Sequence, residues 1–151
     1  MKKVFKIAII LICVISFSVA SYPRIDMFRI DNATLTFYSA NSIKHEDNLL
    51  FLSQEAATEL IKYLKPYRFQ VFAEIKVEME DYYVFKPNDK TTFLIDANYD
   101  RYNTYNTSNI MTYMIFEYSY NNEQPRSGGT FISVDVLSVF EKQYQMVYSE
   151  E

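Results

Sequence analysis

The side chains able to do chemistry are few, and their spacing excludes more than it assigns. His45, in His45-Glu46-Asp47, is the one histidine. A histidine beside acids suits a general base or a metal ligand. Both roles need partners, and the one cysteine, Cys13, lies in an apolar run near the N-terminus. His45 therefore reads as a solvated side chain of the polar loop 41–48. A serine hydrolase would also need a nucleophile elbow. The serine before the two glycines stands in Arg126-Ser127-Gly128-Gly129, outside the Gly-x-Ser-x-Gly pattern.

Asp96-x-Asn98-x-Asp100 matches the first three ligand positions of a calcium loop. The sixth position should be glycine and is Arg101; the twelfth should be glutamate and is Thr107. The expectation is a polar turn, with no metal and no cofactor. Glu74, Glu78 and Glu80 fall on one face of an alternating stretch, with Asp81 next to the last. Paired carboxylates can hydrolyse glycosides. Here Lys76 lies between the first two, and alternating acid and lysine is the ordinary pattern of a solvent-facing strand. No catalytic set remains, so the chain is expected not to be an enzyme.

Binding is the more promising chemistry. In residues 98–108, Tyr99, Tyr102 and Tyr105 recur at every third position among Asn, Thr and Ser, with Asp100 and Arg101 between them. Tyrosine, asparagine and serine supply rigid aromatic contact with adaptable hydrogen bonding. Tyr99, Asp100, Tyr102 and Tyr105 are the candidate contact residues. Such a loop suits a protein partner, and its tyrosine faces also suit a sugar.

The elements that must position this loop follow from periodicity. Residues 27–39 are apolar at Phe28, Ile30, Leu35 and Phe37, interrupted by Asp31-Asn32: a strand pair or one bent strand. Ser53 is a helix N-cap, and Ala56, Ala57, Leu60, Ile61 and Leu64 form one apolar face that Pro66 should end. From Tyr67 to Met79 apolar and polar residues alternate for 13 positions, predicting a long strand with one face on the core. Residues 82–85 and 91–95 flank Lys86-Pro87-Asn88-Asp89-Lys90 and predict a hairpin. Residues 110–120 are apolar on both faces and predict a central strand. Residues 121–129 hold Pro125 and both glycines and predict a loop. Alternation resumes over 130–136, and the tail to 148 fits either strand or helix.

The fold class is thus α+β: an antiparallel sheet of about five strands packed on one amphipathic helix. This order of strand, helix and further strands is similar to that of cystatin-like rolls.

The N-terminus carries its own pattern. Lys2, Lys3 and Lys6 precede an uncharged run from Ile7 to Ser16, and Ser18-Val19-Ala20 places small residues before Ser21. This is the order of a secretory signal peptide. Residues 1–20 are expected to be removed, leaving a single domain over 21–151 in the periplasm or outside the cell. That domain has no cysteine and so no disulfide. An exported, cysteine-free domain behind a short lysine-led signal is expected to be bacterial. Without the three signal lysines the charge becomes about −7. Nucleic acid and anionic membrane attract basic surfaces, so neither is an expected partner. A protein with a basic surface is. The expected function is an exported protein-binding domain, such as an immunity protein or enzyme inhibitor, with a surface or carbohydrate-binding module as the alternative.

Overall fold

The structure, a computed structural model, describes residues 9–13, 27–40, 49–69, 78–98, 111–119 and 126–149. Six strands form one antiparallel sheet: β1 (Thr34–Ser39), β2 (Leu50–Phe51), β3 (Asp81–Asn88), β4 (Thr91–Asp96), β5 (Met111–Tyr118) and β6 (Arg126–Ser133). Their spatial order is β2-β1-β3-β4-β5-β6. Helices α1 (Gln54–Leu64) and α2 (Val134–Tyr148) accompany the sheet. The α+β class is as expected, with one more strand and one more α-helix than the sequence indicated.

α1 forms as its sequence predicts. The Ser53 hydroxyl oxygen accepts the Ala56 N–H at 3.2 Å, and Glu55 sits in the first turn. Ala57, Leu60, Ile61 and Leu64 are buried. The α-helix ends at Leu64, just before Pro66, as expected, but no strand follows. Lys65–Phe69 continues as a 3-10 helix, so Tyr67 and Phe69 do not begin a strand. Proline cannot donate to an α-helical turn, but its fixed φ is compatible with the tighter one. The far end of the expected strand fails as well, because Glu78 and Met79 lie outside any strand; residues 70–77 are outside the described residues.

The chain before β1 is bent at Asp31-Asn32, where Asn32 adopts φ 52. The strand starts only after it. The β3–β4 hairpin forms with Asp89-Lys90 as its turn, tighter than the five-residue turn expected. Asn88 holds it from both sides. Its side-chain oxygen accepts the Lys90 N–H at 3.0 Å, and its amide donates to the Arg29 carbonyl at 2.5 Å. Register shifts between Phe85 and Asn88, around Pro87, which has no N–H for the ladder.

β5 lies between β4 and β6, as its two apolar faces predict. β6 differs from expectation. It begins at Arg126, so both glycines are in a strand, and it ends at Ser133, so Val134 and Val136 are helical. The alternation misleads because Ser133 is an N-cap, its hydroxyl oxygen accepting the Asp135 N–H at 3.3 Å. Val136, Leu137 and Phe140 then meet the core at helical spacing.

One face of the sheet carries this core. Leu35, Phe85, Phe93, Ile95, Met114 and Ile132 join Leu60 and Leu64 of α1 and Leu137 and Phe140 of α2 in one cluster. Phe85 stacks on Phe93 and meets Phe140 edge-on, with centroids 6.1 and 5.7 Å apart. Among the described residues, no helix is long and apolar enough to cross a membrane.

Candidate contact face

Strand alternation gives the sheet a second face, turned away from this cluster. Pairing sets Tyr38 beside Tyr82, Tyr82 beside Asp96, and Tyr113 beside Phe131. Ile95 pairs with Met114, and one step further along these two strands Asp96 meets Tyr113. A single row, Tyr38–Tyr82–Asp96–Tyr113–Phe131, therefore crosses five strands. The next row on this face is Thr36–Val84–Leu94–Ile115–Gly129.

The aromatic members interlock. Tyr38 and Tyr82 stack with centroids 5.4 Å apart, and Tyr113 meets Phe131 edge-on at 5.1 Å. Tyr113 is fully buried, which pushes its hydroxyl pKa up. Gly129 is what lets it lie there: a Cβ at that position would stand 1.9 Å from the Tyr113 hydroxyl oxygen.

Towards its edges the same face opens. Phe51, opposite Thr34, is 72% exposed; Phe131 is 42% exposed and Met111 38%. Every large apolar side chain that the six strands leave exposed is on this face, none on the helix-covered one.

Asp96 is the acid of the row and is fully buried. One carboxylate oxygen accepts the Asn98 N–H at 2.8 Å, and its backbone carbonyl accepts the Thr112 hydroxyl at 2.5 Å. These bonds close a turn at the end of β4. Asp81, at the same end of the sheet, accepts the Ser39 hydroxyl at 2.5 Å. No group of three potential metal-ligating acids, histidines or cysteines occurs among the described residues. A cleft of about 130 Å³ at the opposite end of the sheet is lined by Arg29, Asp31, Asn88, Asp89 and Lys90. Its two cations and two anions select no charge.

The candidate contact residues Tyr99, Asp100, Tyr102 and Tyr105 lie outside the described residues, as do His45 and Glu74. Residues 99–110 join Asn98 to Met111, so the chain leaves and rejoins the sheet at the end that carries the aromatic row. The row itself escaped the sequence reading. Alternation separates Tyr38, Tyr82 and Phe131 from the core positions, but only the register between strands aligns them.

No protein-family model, curated protein or solved structure matches this chain.

Proposed function

We propose that the protein is an exported binding domain, not an enzyme, and that it grips another protein with the outer face of its sheet and the adjoining Tyr/Asn loop. The observation that carries this reading is that the large apolar side chains the six strands leave exposed lie on the face without helices, Met111 and Phe131 at the end where that loop departs and Phe51 at the opposite edge. Surfaces of this kind, aromatic and rimmed by polar groups, are typical of protein contacts. The acidic net charge favours a basic partner. An immunity protein or enzyme inhibitor of the bacterial periplasm fits these properties, as does a cystatin-like roll extended by α2.

Export rests on the N-terminal pattern, and it is supported by the helical residues 9–13, where Ile9, Ile10, Leu11 and Ile12 are exposed. An exposed apolar helix is what the export machinery and membrane receive. Intact mass of protein recovered from periplasm or medium should place the first residue at Ser21. A full-length species extracted only from membrane would make the segment an anchor.

The contact reading is tested on Tyr82→Ala, Tyr102→Ala and Tyr105→Ala. Each should weaken capture of the partner from extracts of the producing cell by roughly thirtyfold, the equivalent of about 2 kcal/mol. Variants that fold and keep full affinity would remove this face and its loop from the contact. Empty protein captures, together with glycan binding lost in the same variants, would hand the site to a sugar.

A further inference from the structure

The chain before β1 and the β3–β4 hairpin enclose the cleft of about 130 Å³ lined by Arg29, Asp31, Asn88, Asp89 and Lys90. Two hydrogen bonds hold its walls together. The Asp31 N–H donates to the Pro87 carbonyl at 2.7 Å, and the Asn88 amide donates to the Arg29 carbonyl at 2.5 Å. Asn88 is buried, whereas the four charged residues are exposed.

Two observations single this cleft out. The first is its charges. Two cations and two anions surround one small space, yet none of the four forms an ion pair with another of the described residues. The second is Thr91, which is fully buried and whose hydroxyl has no hydrogen-bond partner among the described residues. Strand pairing sets Thr91 directly opposite Asn88, so the two side chains are neighbours on one face of the sheet. A buried hydroxyl without a partner costs stability, and valine would fill the same space without that cost.

We propose that this cleft binds a free α-amino acid with a small side chain. Arg29 and Lys90 supply charge for its carboxylate, and Asp31 and Asp89 for its ammonium group. Asn88 and the neighbouring Thr91 hydroxyl supply the uncharged hydrogen bonds. The Asn88 oxygen already accepts the Lys90 N–H and its nitrogen already donates to Arg29, but each atom has capacity for one more bond. The balance of charge sets the class of ligand. A simple anion or cation would meet as many like charges as opposite ones, whereas a zwitterion finds a partner for both of its ends. The space holds roughly ten water-sized groups, which suits a small amino acid and is too little for an oligopeptide or a nucleotide. Water screens the exposed charges, so the affinity should be modest. The cleft is at the end of the sheet away from the aromatic row, and this inference stands or falls independently of the proposed function.

Amide resonances of the isotope-labelled full chain, followed as L-alanine is added up to about 50 mM at fixed ionic strength, read binding and its location together. Saturable shifts are expected at Arg29 to Asp31 and at Asn88 to Thr91. N-acetyl-L-alanine, which lacks the ammonium group, and L-alaninamide, which lacks the carboxylate, should each bind roughly tenfold more weakly or worse. The paired substitutions Arg29→Gln with Lys90→Gln, and Asp31→Asn with Asp89→Asn, should each abolish the shifts while leaving the circular dichroism unchanged. Thr91→Val gives a readout that a purely structural role would not: weaker binding with a thermal midpoint that is unchanged or raised. The absence of any saturable shift would overturn the proposal, as would equal binding of either single-charge analogue. Shifts that persist in both paired variants would place the ligand elsewhere and overturn it too.

Discussion

The inner and outer faces of the sheet are built from neighbouring residues of the same strands, yet folding treats them differently. On the inner face Leu35, Phe85, Phe93 and Ile95 are sealed beneath two helices. One residue along, Tyr38, Tyr82, Val84 and Leu94 are only half-buried, and Phe51, Met111 and Phe131 are exposed. Burial of apolar area stabilises the fold in proportion to the area removed from water. The inner face has spent nearly all of its area in this way. The outer face retains exposed apolar area, and if it binds as proposed, a mutation there should register in affinity before it registers in stability.

The largest effect should come from breaking the inner face. Phe85→Ala removes a ring packed between Phe93 and Phe140 and should cost about 3–5 kcal/mol, read from the urea midpoint. A cost below about 1 kcal/mol would erase the contrast between the faces, because surface changes cost about that little. Next comes the boundary case. Gly129→Ala drives a methyl into the Tyr113 ring and should cost about 1–3 kcal/mol. The penalty should shrink in a Tyr113→Ala background, and a double-mutant cycle measures that coupling. Smaller still, Tyr82→Ala loses a stacked pair worth about 0.5–1.5 kcal/mol of stability. Its larger consequence should be in binding.

The smallest effect at neutral pH is electrostatic. On the inner face Tyr83 is packed against Phe37 and Tyr144, with ring centroids 4.8 and 5.8 Å away. Burial, with the nearby Glu141 and Tyr144, holds its hydroxyl protonated well above the ordinary 10.0. The folded state thus binds this proton more tightly than the unfolded chain does. Its contribution is complete below pH 10 and is lost as pH rises from there towards the folded pKa. Tyr83→Phe should flatten that alkaline decline in stability. An unchanged decline would mean that Tyr83 takes no part in it.

Much of the inner face could be read from the sequence, because its signals are local. Ser53, Ala57, Leu60, Ile61 and Leu64 announce α1 by cap and spacing, and the β3–β4 hairpin is announced by its turn residues. Where two local patterns compete, the reading fails. Tyr67 and Phe69 fit a strand, yet they follow a helix whose last turn can tighten past Pro66. Val134 and Val136 continue an alternation, yet Ser133 and Asp135 cap a helix at the same point. The outer row was out of reach for a different reason. Ser39 and Asp81, which pair at its end, are 42 residues apart in the chain, and no local pattern encodes which residue of one strand meets which residue of another. The proposed contact residues Tyr99, Asp100, Tyr102 and Tyr105 rest on composition alone and lie outside the described residues.

The placement of β1 has a consequence for the order in which the molecule assembles. Strands β3 to β6 join neighbours in sequence order and can zip together locally. β1 is made early, but its long partner is β3, and only the two-residue β2 lies on its other side. Closing the chain over such a separation is slow, because entropy must be lost before the contact is gained. The first strand to leave the ribosome is therefore among the last to dock. Until β3 has emerged, β1 has only the two-residue β2 to pair with.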